Sequence, residues 1–181
     1  MAKRIKTAYL VGPIEFSANP DSDWRYLVEE LLKPLRIRCI NPVKVSYLVG
    51  KDIRDNAKYA CRLKRVKNWR KFRAFMKKIW GQDKSSVDAS GVLICWVRNK
   101  KEARELNASG GTYREYIRGQ RKKKRLFLVY EVGTENINSH LLDIILSQGA
   151  IFEKISDLVE CFRHYNKTGK WRFVIKKRRT R

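Results

Sequence analysis

The segment Ser109-Gly110-Gly111-Thr112-Tyr113-Arg114-Glu115 is the richest in groups that could act on a substrate. Two glycines entering a helix leave backbone N–H groups free at its positive dipole end, which suits a phosphate or a sugar hydroxyl. Ser109 adds a donor and Thr112 opens the helix. Glu115 falls within the first helical turn, where a carboxylate is stabilised as the anion and can serve as a nucleophile. The same residues also describe an ordinary turn and a helix whose first-turn glutamate favours the dipole. A second acidic cluster runs from Asp83 to Asp88 (DKSSVD). Asp83 stands at the end of a long basic helical window that could carry it over a crevice; a surface cap is the alternative. Tyr9 is either a core tyrosine or a hydroxyl reaching that crevice. Gly12 and Pro13 follow it as a turn.

The elements that must position these groups alternate. Thr7 to Ile14 is a short apolar run closed by Gly12-Pro13, hence a buried strand and turn. Asp21-Ser22 offers an N-cap, and Trp24, Leu27, Val28, Leu31 and Leu32 then recur as one face of a helix that stops near Pro34. Ile37 to Ile40 is a second strand. Asn56 to Gln82 is mostly helical, with apolar residues every three or four positions. Gly91 to Val97 (GVLICWV) is continuously apolar, as in a parallel strand covered on both faces. A loop leads to Gly111 and a helix from Thr112. Leu126 to Tyr130 is a strand, Ile137 to Leu146 a helix and Ala150 to Phe152 a short strand. Ser156 caps a last helix to Tyr165. The pattern predicts a doubly wound α/β sheet in one domain, residues 1–166, with a basic helical insertion around 56–82 and a basic tail, 167–181. Ligands of such sheets sit beyond the carboxyl ends of the strands. The loop after Ile14, the flanks of GVLICWV and Ser109 to Glu115 are expected to converge there.

Composition bounds the partners. The 181 residues hold 42 Lys and Arg against 18 Asp and Glu, a net charge of +24, yet 43% are hydrophobic. That is a folded chain with a heavily basic surface rather than a disordered tail. No apolar run approaches the roughly 20 residues that span a bilayer, so no membrane partner is expected. The basic start lacks a small-residue cleavage site. Cys39, Cys61, Cys95 and Cys161 form no CxxC pair, and His140 and His164 stand in no ligand spacing. No metal, cofactor or disulfide framework is expected, and the setting is a reducing cytoplasm.

The frame YLVGPIEF, Trp24-Arg25, INPVK, Asp83 with VDASGVLI, and GGTYREY resembles the nucleoside 2-deoxyribosyltransferase-like superfamily, above all its small bacterial and phage members. The resemblance runs from about Thr7 to Phe162; the order and spacing of its short motifs are its specific part. It implies a flavodoxin-like, mainly parallel sheet of about five strands with helices on both faces. It also implies cleavage or transfer at the N-glycosidic bond of 2′-deoxynucleosides or their 5′-monophosphates, in a bacterial or phage-infected cell. Glu115 matches the family's nucleophile, Tyr9 the tyrosine beside it, and Asp83 the aspartate that helps protonate the leaving base. Gly12, Pro13, Asp88, Ser109, Gly110, Gly111 and Thr112 fall around the substrate. Two positions depart from the family pattern. Gly91 stands where an aspartate is common, and Ser109 stands where free-nucleoside transferases carry an acid. A serine there suits a 5′-phosphate and leaves a phosphodiester possible. The resemblance also implies a homo-oligomer.

The basic surface is not explained by the resemblance. Asn56 to Gln82 holds ten Lys or Arg and no acid, among them Arg62, Arg65, Arg70, Lys71 and Arg73. Arg114 to Arg125 includes Lys122, Lys123 and Lys124, and the tail includes Lys176, Lys177, Arg178 and Arg179. Unbalanced cations repel one another, so a nucleic acid or another polyanion is expected as partner. Trp69, Phe72, Phe75 and Trp80 interleave with the charges, either as core or as a stacking platform. Two alternatives follow: the same chemistry on a base extruded from DNA or RNA, or a non-catalytic nucleic-acid-binding protein.

Overall fold

The computed structural model describes residues 5–13, 24–45 and 53–172. The expected N-cap at Asp21-Ser22, the loop from Ile14, and Lys176, Lys177, Arg178 and Arg179 lie outside the described residues. Five strands, β1 (Thr7–Leu10), β2 (Arg38–Ile40), β3 (Val92–Val97), β4 (Arg125–Tyr130) and β5 (Ala150–Phe152), form one sheet. All its pairings are parallel, in the order β2-β1-β3-β4-β5. This is the flavodoxin-like order, and its direction reverses between β1 and β3. The register sets Tyr9 beside Leu93 at that reversal.

Every residue of β3 is buried, as its unbroken apolar run requires of a strand covered on both faces. On one side lie α1 (Trp24–Leu32) and α8 (Ile155–Thr168). On the other lie α4 (Trp69–Ala89), α6 (Gly110–Arg121) and α7 (Ser139–Gln148), which pack on the sheet and on one another. Three further short or peripheral helices lie among the described residues: α2 (Pro42–Val45), α3 (Ile53–Arg65) and α5 (Lys100–Ala108). Cys39, Cys61, Cys95 and Cys161 form no disulfide among the described residues. Among the described residues no helix is long and apolar enough to cross a membrane.

Several local expectations change. The window 56–82 is two antiparallel helices, α3 and α4, broken where Lys67 turns left-handed at φ 52° and Asn68 caps α4 through Lys71 N. This hairpin forms the β2–β3 connection and keeps a small core of its own from Ala60, Leu63 and Phe75. The loop expected before Gly111 contains α5, capped by Asn99 through Glu102 N, with Ala103 and Leu106 facing inward. α8 begins at Ile155 after Lys154 with no side-chain cap bond, so Ser156 lies inside its first turn. On α1 the buried row is Trp24, Val28 and Leu32 with Arg25, whereas Leu27 and Leu31 face outward. A nine-residue helix lying on a sheet covers only a narrow stripe, and the leucines fall on its outer flank.

Gly119 lets α6 approach the sheet. A Cβ there would lie 2.9 Å from methyls of both Leu93 and Leu126. Gly119→Val is expected to lose about 1–3 kcal/mol by overpacking. Gly81 on α4 has nothing within 4 Å of its Cβ position, so Gly81→Ala should gain about 0.5–1 kcal/mol of helix propensity. Urea unfolding of both variants checks the opposite signs.

Candidate active site

Three groups distant in sequence meet on the α4/α6 side of the sheet reversal. The Tyr9 hydroxyl, at the end of a wholly buried side chain, donates to Glu115 Oε1 at 2.6 Å. Asp83 Oδ1 lies 3.4 Å from the same hydroxyl. Each is placed by its element: Tyr9 by β1, Glu115 by the second turn of α6, and Asp83 by α4. The cluster DKSSVD is therefore the end of α4, and α4 packs directly on β1 and α6. Both carboxyl oxygens touch one hydroxyl, so they lie no more than about 6 Å apart.

Burial dominates the electrostatics. Glu115 is 7% exposed. Loss of hydration pushes its carboxyl up to about 8, with the nearby Asp83 charge adding to the rise. Burial likewise raises Asp83, to about 6, against the opposing hydrogen bond from Tyr9. The Tyr9 hydroxyl is raised well above its ordinary value, by burial first and then by the two carboxylates, so it remains a donor. Glu115 and Asp83 thus hold about one proton between them near neutral pH, and that proton belongs to the pair.

A fourth group was given no role by the sequence. Arg25 is fully buried, with its guanidinium 4.7 Å from the centroid of the Trp24 ring. Its Nε donates to Leu10 O at 3.1 Å and its Nη2 to Gly12 O at 2.7 Å. The cation fixes the chain leaving β1 and favours the charged forms of Glu115 and Tyr9. A Cβ at Gly12 would lie 3.0 Å from Arg25 Nη2 and would crowd the guanidinium. Trp24-Arg25 belongs to the frame that carries the family resemblance, and that pairing was the available signal.

The remaining predicted residues separate. Ser109 Oγ caps α6 through Thr112 N at 3.3 Å and pairs with Thr112 Oγ1 at 2.9 Å, with Thr112 buried. Gly110 and Gly111 are exposed at the open start of α6, and nothing lies within 4 Å of a Cβ at Gly110. Asp88, five residues beyond Asp83, is turned to Arg118 in a two-pronged ion pair. That hydrogen bond lowers its pKa, so Asp88 serves the α4–α6 contact rather than the Tyr9 cluster. Gly91 lies at the amino end of β3, donating to Thr7 O at 2.9 Å. A Cβ there would press on that carbonyl at 3.3 Å.

Several buried polar atoms toward the carboxyl ends of the strands lack partners, as do Gln148 Oε1 and Asn166 Oδ1 elsewhere in the fold. Asn41 Nδ2 after β2, Trp96 Nε1 in β3 and the Tyr130 hydroxyl at the end of β4 are buried and make no hydrogen bond. Gln82 Oε1, next to Asp83, is in the same condition. Buried polar groups left open in this way are expected where a ligand completes them.

No protein-family model matches the chain, and no curated protein matches it by sequence. Solved structures do match it. One is a 2-desoxiribosyltransferase from Leishmania mexicana, 14% identical, with a TM-score of 0.53 over 91% of this chain and 99% of that one. Another is a CMP N-glycosidase from Clostridium botulinum, 10% identical, with a TM-score of 0.48 over 88% of this chain and 99% of that one. The flavodoxin-like sheet that the sequence resemblance implied is the fold of this chain, and it is shared along nearly its whole length with the Leishmania transferase.

Proposed function

We propose that this protein cleaves or transfers at the N-glycosidic bond of 2′-deoxynucleosides or their 5′-monophosphates through a covalent glycosyl-Glu115 intermediate. The observation that carries the reading is the Tyr9 hydroxyl shared by Glu115 and Asp83. Tyr9 holds Glu115 Oε1, and Oε2 accepts no hydrogen bond among the described residues. Oε2 attacks C1′ as the C1′–N bond breaks, and its electron pair leaves with the base. Protonated Asp83 gives the base its proton, since an anionic base is a poor leaving group. Water or an incoming base then attacks C1′ and releases Glu115, with Asp83 taking back a proton. A separation of about 6 Å or less favours this double displacement, because retaining glycosidases hold their carboxyls about 5–5.5 Å apart and inverting ones about 6.5–9.5 Å. Ser109 and the open glycine N–H groups at the start of α6 suit a 5′-phosphate better than an acid would.

The test is chromatographic release of free base from deoxynucleosides, their 5′-monophosphates and DNA. Release from a monophosphate supports the reading; no release from any of them sinks it. The pH profile is a further prediction. Activity requires one proton on the pair, so the rate should pass through a maximum near neutral pH, falling on the acid side as the pair takes up a second proton and on the alkaline side as it loses its only one. Asp83→Asn leaves Glu115 as the one titrating carboxyl of the pair. The alkaline limb should therefore disappear, leaving a rate that only rises with pH to a plateau, at a much reduced maximal value. An alkaline limb that persists in that variant would show that Asp83 is not the acid.

A further inference from the structure

The tip of the α3–α4 hairpin has a property that the glycosidic site does not use. Trp69, the first residue of α4, is 54% exposed, and Val66 beside it is 62% exposed. The Trp69 ring is held edge-on against Phe72, with centroids 6.4 Å apart and planes at 87°. The ring thus leans on one aromatic neighbour and is otherwise open to solvent. Arg62, Arg65, Lys67, Arg70 and Arg73 surround it in sequence on the two helices, all exposed. None of the five forms an ion pair among the described residues. The other aromatics of the segment are spent on packing: Phe75 is buried, with Tyr59 edge-on to it at 5.0 Å. Trp80 lies under the Arg114 guanidinium, 5.9 Å from its ring centroid.

We infer that this hairpin tip is a binding surface for single-stranded nucleic acid, with a base stacked on Trp69 and the flanking arginines on the phosphates. Charge complementarity sets the partner's sign. Ten cations without an acid between Asn56 and Gln82 repel a second copy of this chain and attract a polyanion. The aromatic plate selects among polyanions, because a strand with unpaired bases offers π-faces at the spacing of its phosphates. An anionic membrane is the weaker fit, as Trp69 and Val66 are the only exposed large apolar residues among the described residues of the hairpin. The inference is independent of the glycosidic reading, since Trp69 stands fourteen positions before Asp83, about 21 Å along α4.

The experiment is fluorescence anisotropy of labelled oligothymidylate against the full-length protein across a salt series, with Trp69→Ala, Trp69→Phe and the pair Arg70→Glu/Arg73→Glu. Trp69→Ala should weaken binding about tenfold or more at fixed salt with an unchanged salt slope, and Trp69→Phe should restore most of it. The charge reversals should flatten the slope by about 1.4, the value for two lost single-strand phosphate contacts. Base release from a mononucleotide should be unaffected by Trp69→Ala, so failure here is distinct from failure of the glycosidic reading. The inference is overturned if Trp69→Ala binds within twofold of the unmodified protein. It is overturned equally if the substitution spares oligothymidylate but lowers binding to phosphatidylserine vesicles.

Discussion

Glu115→Gln is expected to lower base release by at least about 10³-fold, a barrier increase of roughly 4 kcal/mol. The substitution is nearly isosteric, and its amide oxygen can still accept the Tyr9 hydrogen bond that Glu115 Oε1 accepts at 2.6 Å. The packing of α6 is therefore kept while the attacking group is lost. A residual rate is expected, since Asp83 can still protonate the base and water can attack C1′ directly. The loss should appear in kcat with little change in KM, because the covalent bond forms only on the way to the transition state. Protein quenched during turnover should gain the mass of one glycosyl group, and the variant should not. A variant within tenfold of the unmodified protein would mean that another group, or water alone, attacks the sugar.

How far this site can be read from the sequence depends on what each residue touches. The strands are legible because covering a parallel sheet on both faces demands unbroken apolar runs, and GVLICWV supplies one whose every strand residue is buried. Tyr9, Asp83 and Glu115 are legible only as members of an ordered frame; taken singly, each has an ordinary structural reading. DKSSVD looks like a turn because Asp and Ser favour turns. It remains helical because Val87, fully buried, anchors the end of α4 and Ser90 closes it by donating to Val87 O at 2.8 Å. Arg25 is legible as part of that frame, but its role is not, for a different reason. Its partners are the backbone carbonyls of Leu10 and Gly12, and carbonyls leave no mark on side-chain pattern. Lys124 shows the converse. It counts toward a basic cluster, yet its ammonium is bonded to Asp88 O and Ser90 O at the end of α4. Charge counting overstates the free cations there, whereas Lys122 and Lys123 remain exposed.

The same substitution that silences Glu115 should stabilise the fold, by an amount that grows with pH. In the unfolded chain a glutamate titrates near 4.5, whereas burial and the Asp83 charge hold Glu115 at about 8. Between those values the native protein binds more protons than the unfolded chain, so its stability falls as pH rises, and the fall ends once Glu115 is ionised in both states. Glutamine has no such penalty. Glu115→Gln should match the unmodified protein near pH 4, where both side chains are neutral, and pull ahead steadily to pH 8. One pKa unit corresponds to 1.36 kcal/mol, so the gain should reach on the order of 3–5 kcal/mol, or roughly 6–20 °C in Tm. Thermal melts of both proteins at pH 5, 6, 7 and 8 measure it. A Tm difference that stays flat across that range would show that Glu115 is ordinarily hydrated and acidic, and the buried-nucleophile account would fail with it. A widening difference would identify Glu115 as a group held in place against stability, which is the expected cost of keeping a carboxylate in a dry site beside a second acid.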